Sequence, residues 1–346
     1  KRAFTCPTSP PTTASGCTTR KPAPGSRSPG SPCSPRAATA STSRNRRCSI
    51  RCWAISCMRS RLAAGRRATR APRSSRSTGR RESPDVAGRL RIEKEGAIGW
   101  IVLDNPARMN AINGDMWRAF PQAMAQLDAD PEVRVVILRG EGEKAFAVGM
   151  DISEFEKARA DAAQALAFDR LIDEALHVLQ GSPKPVVAMI RGYCMGGGVE
   201  VSLACDLRYC SDDAQLAIPA ARLGLGYGMD GTKRLVETVG HANAREIFFT
   251  GRRYSAAEAL SIGLVHRVLP VGELEAYVRK TAESLAENAP LTIAASKILI
   301  EEFVRPTGEP DVAKGLAAIE RCATSEDYLE GRKAFMEKRK PKFRGR

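Results

Sequence analysis

The sequence is poor in aromatic residues, which make up 5% of its 346 positions, and has only three histidines. No run of about 18 apolar residues occurs, which excludes a membrane-spanning helix. No C-x-x-C pair occurs among the ten cysteines, and no G-x-S-x-G elbow or His-x-x-x-His pair is present. Serine-hydrolase and zinc-enzyme chemistry therefore have no foothold. The absence that matters most is local. Between Lys1 and Pro84 there is a single acid, Glu82, against nineteen Lys and Arg. The formal net charge of +15 thus belongs to this stretch, and the remainder, with 35 bases and 38 acids, is slightly acidic.

Residues 1–84 are mainly Ser, Arg, Thr, Pro, Ala and Cys, as in Arg66-Arg-Ala-Thr-Arg-Ala-Pro-Arg73. Too few apolar side chains are present to offset the entropy of ordering them, so a disordered basic tail is expected. The favoured expectation is an inert extension of the kind a GC-rich region yields when read upstream of a start. An organelle transit segment comes second, although its many prolines oppose an amphipathic helix. A nucleic-acid arm comes last, because only Phe4 and Trp53 could stack on bases. Six cysteines lie in the tail and four in the body (194, 205, 210 and 322), the latter read as small core residues in a reducing, intracellular compartment.

The roughly 260 residues that follow are long enough to bury a full core. Leu90 to Lys94 and Ile98 to Leu103 read as a hairpin, and Asn113 caps a helix over Gly114 to Ala129 interrupted by Pro121. Strands are expected at Val133–Leu138, Val186–Ile190, Leu207–Tyr209, Gln215–Ile218 and Leu264–Val268, with helices at Ala160–Leu179 and from Gly196–Gly198 through Ala204. Beyond Gly231 the pattern is mostly helical. This order indicates an α/β fold: a core over 85–272 and a helical region over 273–346.

Gly226-Tyr-Gly-Met-Asp-Gly231 matches G-x-G-x-x-G. No buried strand precedes it, and the acid about 20 residues on, Glu246, lies inside a helical run, so a dinucleotide site is not supported. The informative segments are Lys144 to Phe155 and Ile190 to Val201. In each, glycine precedes a helix-forming run, which leaves free backbone amides and a positive helix end to face a cleft. Two such ends converging on one carbonyl would form an oxyanion hole for an enolate. Glu200 stands three residues after Gly197, on the same helical face. A tight helix-on-strand contact with a solvated Glu200 is the structural alternative.

Taken together, ordered motifs resemble the crotonase, or enoyl-CoA hydratase/isomerase, superfamily from about Leu90 to the end. They are Asn105-Pro-Ala-Arg-Met-Asn-Ala-Ile112, Phe146-Ala-Val-Gly-Met-Asp-Ile152, Gly192-Tyr-Cys-Met-Gly-Gly-Gly-Val-Glu200, Ala204-Cys-Asp-Leu-Arg208, Ala257-Glu-Ala-Leu-Ser-Ile-Gly-Leu-Val265 and Ser325-Glu-Asp-Tyr-Leu-Glu-Gly-Arg332. The resemblance implies a spiral of ββα repeats, a carboxyl-terminal helical region that builds homotrimers or hexamers, and acyl-CoA substrates. It implies no metal or redox cofactor, coenzyme A being part of the substrate, and neither a membrane nor a nucleic-acid partner. It places the oxyanion hole on the amides of Met150 and Gly197 and the acid/base on Glu200. The CoA arm would run along Phe146, Ala147, Val148 and Met150, with Gly196 and Arg108 beside it, while Phe335 and Lys338 would reach CoA from a neighbouring subunit. A solvated charge run explains Lys338 to Lys342 equally well. A cytoplasmic location follows, or a mitochondrial one if the tail is a transit segment.

Two positions depart from the family pattern. A basic residue is expected where Ser153 stands, and the second glutamate of efficient hydratases falls on Ala220, whose methyl group cannot move a proton. Either Glu200 does both jobs, or Tyr227 or Asp230 enters from the next loop, or the reaction is not hydration. Leu223-Gly-Leu-Gly-Tyr227 also resembles decarboxylases of this fold, in which a tyrosine follows a similar Leu-Gly. A packed phenol is the plainer reading of Tyr227, and a cap on the helix from Gly231 the plainer reading of Asp230. Three functions follow in order: an enoyl-CoA hydratase or isomerase, a decarboxylase using Tyr227, and a non-catalytic or nucleic-acid-binding member. Acyl specificity is expected to depend on segments such as Ala160 to Leu179.

Overall fold

A computed structural model of the chain describes residues 88–151, 154, 161–304 and 308–346; the expectations for residues 1–84 and for Ser153 lie outside them. The strands Arg89–Glu95 (β1) and Ile98–Asp104 (β2) pair antiparallel across a tight turn in which Gly96 takes φ +57°. β2 leads into a buried polar corner. Asn110, itself at φ +57°, accepts from the Asn105 amide at 3.1 Å and donates to the carbonyls of Glu141 and Ala145 at 3.0 and 2.7 Å. It thereby ties the chain after β2 to the loop that enters the second sheet.

The helix Gly114–Ala129 (α1) starts at Asn113, whose side chain accepts from the Met116 amide at 2.8 Å, and it runs through Pro121. Its buried face presents Met116, Trp117, Phe120, Met124 and Leu127 to the core, the 3.6-residue spacing of an amphipathic helix.

From here the chain winds in turns that each give one strand to each of two sheets and then a helix. Val135–Gly140 (β3) and Ala145–Ala147 (β4) precede Ala162–Gly181 (α2); Val186–Ile190 (β5) and Tyr193–Met195 (β6) precede Gly197–Ala204 (α3). Leu207–Ser211 (β7) and Gln215–Ala217 (β8) precede Ala220–Leu223 (α4) and Met229–Thr250 (α5), the latter broken at Gly240, where φ is +75°. Tyr254–Ser255 (β9), Ala256–Ser261 (α6) and Arg267–Leu269 (β10) follow, then Val271–Ala286 (α7), Pro290–Phe303 (α8), Val312–Ala323 (α9) and Glu326–Glu337 (α10). One sheet has the order β1-β2-β3-β5-β7-β10 and the other β4-β6-β8-β9. This is the spiral of ββα repeats expected from the motifs.

Both faces of the larger sheet are covered, which explains why β5 is apolar and buried at every residue. Leu103, Leu138 and Ile190 face one core with α1 to α3; Trp100, Ile137 and Met189 face the other, against Leu274, Val278 and Ala282 of α7. The helical end therefore does not form a unit of its own beginning at 273, because its first helix closes the sheet. The outer helices α8 to α10 instead carry exposed apolar side chains, including Phe303, Leu316, Leu329 and Phe335.

Asn110→Ala removes three hydrogen bonds of a buried side chain at once and should destabilise the fold by at least about 2 kcal/mol, read as a lower urea midpoint with unchanged slope.

Candidate active site

The site begins as contact between two backbones. Gly149, after β4, has φ +96°, and Gly196, after β6, has φ +51°. A Cβ on Gly149 would stand 3.1 Å from the Met195 carbonyl oxygen and 3.3 Å from the Gly197 nitrogen, and one on Gly198 would stand 2.3 Å from the Ala147 carbonyl oxygen. Only glycine allows this approach.

Ile112 holds the first loop, donating to the Gly149 carbonyl at 2.8 Å and accepting from the Asp151 amide at 3.0 Å. The planar trans peptide that turns the Gly149 oxygen towards Ile112 turns the Met150 N–H the opposite way. Gly197 is the first residue of α3, where an amide has no acceptor within the helix. Among the described residues, neither the Met150 nor the Gly197 amide donates to a protein acceptor.

Both residues border a cavity of about 330 Å³, whose walls include Val148, Glu200, Ala220 and Tyr227. Glu200 lies in the first turn of α3. Removal from water pushes its carboxyl up to about 7, further than the opposing effects of the Tyr227 hydroxyl and the Arg234 charge can reverse, and Asp173 and Asp169 add repulsion. Near neutral pH such a group can both take and give a proton. The Tyr227 ring meets Phe248 edge-on at 4.9 Å. Its hydroxyl favours the ionised form of Glu200, yet it is buried and makes no full hydrogen bond among the described residues. Burial, then the charge of Glu200, hold the phenol well above its ordinary range. A Cβ on Gly231 would fall 2.4 Å from Glu200 Oε1, so this glycine leaves the carboxyl its place.

The sequence model of the enoyl-CoA hydratase/isomerase family matches residues 93–346. The chain belongs to this family. It is 34% identical to the short-chain-enoyl-CoA hydratase of Clostridium acetobutylicum over 72% of this chain and 95% of that protein. It is 38% identical to the carnitinyl-CoA dehydratase of Salmonella typhi over 74% and 98%, respectively. The crystal structure of an enoyl-CoA hydratase/carnithine racemase from Magnetospirillum magneticum superposes with a TM-score of 0.71 at 38% identity, covering 74% of this chain and 96% of that one.

Of the positions matched to the enoyl-CoA hydratase/isomerase motifs, Met150, Gly197, Glu200, Tyr227, Val148 and Gly196 come together around the cavity. Others do not. Asp230 turns away, its carboxylate 3.1 Å from His177 Nε2 on α2, and it does not cap a helix, since α5 starts at Met229 with Gly228 as its cap residue. Phe146 and Ala147 are buried in β4, and their carbonyl oxygens press on Gly140 and Gly198, so the loop faces the cavity only from Val148 onward. Arg108 reaches Asp151 at 2.6 Å. Phe335, 82% exposed, and Lys338, at the end of α10, lie outside the cavity wall of their own chain.

Asp169 and Asp173, one helical turn apart on α2, border the cavity, as does Ile172. The segment expected to bear on acyl specificity does border the cavity, but the sequence did not single out these acids, whose i, i+4 spacing is also that of any solvated helix face. Among the described residues no group of three His, Cys, Asp or Glu could hold a metal ion, and no helix is long and apolar enough to cross a membrane.

The elevated carboxyl has a consequence for stability. A pKa raised in the folded state, from an ordinary 4.5 to about 7, means that the fold is most stable below the unfolded value and loses stability as pH rises through this window. Glu200→Gln should therefore stabilise the protein by about 2–3 kcal/mol at pH 8 and by nothing measurable at pH 4, in paired urea titrations.

Proposed function

We propose that this cavity carries out enolate chemistry on acyl-CoA thioesters, as an enoyl-CoA hydratase or isomerase. The observation that carries the reading is that Met150 and Gly197, whose amides have no acceptor among the described residues, share a cavity wall with Glu200. The thioester oxygen accepts from both amides, which stabilise the negative charge that develops there. Glu200 takes a proton from water as its oxygen bonds to Cβ of a 2-enoyl-CoA, and the electron pair of the double bond moves towards the thioester. The same proton then passes to Cα. One carboxyl serves twice because its neighbour is Ala220, only 6% exposed and without a transferable proton. An allylic shift would use Glu200 in the same two roles. The reaction needs no group beyond the CoA ester and, for hydration, one water molecule, a small acyl-CoA being the partner rather than nucleic acid or membrane.

The exposed apolar side chains of α8 to α10 support assembly into trimers or hexamers, in which Phe335 and Lys338 would reach the CoA of an adjoining subunit. A cytoplasmic location suits such an enzyme.

A second reading is favoured by one observation, the neutral Tyr227 phenol without a partner. It could supply the proton after loss of CO2 from a malonyl-type thioester, whose enolate would use the same two amides.

A panel of 2-enoyl-CoA chain lengths, followed by loss of enoyl absorbance, tests the first reading. Turnover should fall by at least about a hundredfold in Glu200→Gln; unchanged turnover would remove Glu200 from the reaction. Release of CO2 that persists undiminished in Tyr227→Phe would dismiss the second reading.

A further inference from the structure

Behind Glu200 lies a charged side chain that the reaction as written does not use. Arg234 is on α5, three residues after Gly231, whose Cα side abuts the Glu200 carboxyl. This spacing puts both on the helix face turned to α3. Arg234 is 6% exposed, and its Nη1 is buried without a hydrogen-bond partner. Its Nε donates to Gln180 Oε1 at 3.0 Å, and Gln180 Nε2 donates to the Glu301 carboxylate on α8 at 3.0 Å.

A buried guanidinium needs compensating charge. Its charge acts through space, without an ion pair, on two carboxyls: Glu200 from α3 and Asp173 from α2. Tyr227, from the loop before α5, feels it as well. Asp169 on α2 adds negative charge at Glu200, while Asp230 acts on Asp173 and is itself paired with His177. Within this set Arg234 is the cation that opposes both burial and carboxylate repulsion at Glu200.

We propose that Arg234 is a positioning residue, whose buried guanidinium, fixed by Gln180 and through it by Glu301, keeps Glu200 able to carry negative charge at neutral pH. The inference rests on Glu200 being the acid/base of the proposed reaction. Gln180 and Glu301 also tie the guanidinium to α8, one of the helices with the exposed apolar face.

The test is the titration of the Glu200 side chain by carboxyl ¹³C NMR in the full chain, assigned by loss of the signal in Glu200→Gln. In Arg234→Met the midpoint should rise by about one pH unit, and the acidic limb of kcat/KM on the best enoyl-CoA should move with it. Arg234→Lys, which keeps the charge, should titrate near the wild type. A midpoint unchanged in Arg234→Met, or raised equally in Arg234→Lys, would overturn the inference.

Should Arg234→Met fail to fold, the double variant Gln180→Glu/Glu301→Gln leaves Arg234 in place. It sets a carboxylate against the guanidinium, and the same upward movement is expected. A midpoint that stays put there overturns the inference equally. If the midpoint moves as expected but no enoyl-CoA is turned over, the proposed reaction fails and the electrostatic role of Arg234 stands.

Discussion

The contact between Gly149 and the Gly196–Gly197 step is the constraint on which the rest of the molecule depends. Two backbones meet there with no side chain between them: a Cβ on Gly149 would meet main-chain atoms of Met195 and Gly197 at 3.1 and 3.3 Å, and one on the next residue of α3, Gly198, would stand 2.3 Å from the Ala147 carbonyl oxygen. The smaller sheet exists to make that meeting. β4 and β6 are only three residues each and pair in parallel, so their ends deliver both glycines to one place. Asn110 fixes the entry to β4 from one side and Ile112 fixes its exit. Because the peptides are planar, those anchors also decide which way the free amide of Met150 points.

Met150 and Gly197 border the same cavity as Glu200, whose carboxyl lies in a dry environment. Glu200 has its place because α3 begins at Gly197, and one helical turn separates the amide from the carboxyl. Desolvation is thus the largest influence on Glu200, and it sets chemistry against stability. The charge of Arg234 and the Tyr227 hydroxyl limit the conflict without removing it. Gln180 and Glu301 in turn tie the Arg234 guanidinium to the helical end of the chain.

Where a feature depends on a few neighbouring residues, it could be read from the sequence. The Asn113 cap, the strand Val186–Ile190 and the helix ending at Ala204 lie where periodicity and capping put them. The glycine-led segments, read with the family motifs, also led to the cavity. Features set by distant partners were hidden. β4, β6 and β9 are too short to show alternation. Asp230 is claimed by His177, 53 positions earlier, where a local reading offered only a cap or a catalyst. α7 looks like the start of a helical appendage until the second face of β5 needs cover. Arg234 sits in an ordinary amphipathic pattern, and nothing in its neighbours announces that it is buried.

Ala220 is best understood against the acids that are present. The cavity of about 330 Å³ already has Glu200, Asp169 and Asp173 on its wall. Like charges in one desolvated space raise each other's pKa, and Asp173 and Asp169 do so at Glu200. A glutamate in place of Ala220 would add a fourth carboxyl to the same space and drive Glu200 further from the ionised form. With a methyl group at Ala220, burial rather than a second adjacent glutamate is the largest influence on Glu200, opposed by the Tyr227 hydroxyl and the charge of Arg234. The methyl group at Ala220 and the acids on α2 are then parts of one electrostatic arrangement, in which the carboxyls Asp169, Asp173 and Glu200 already share the cavity wall.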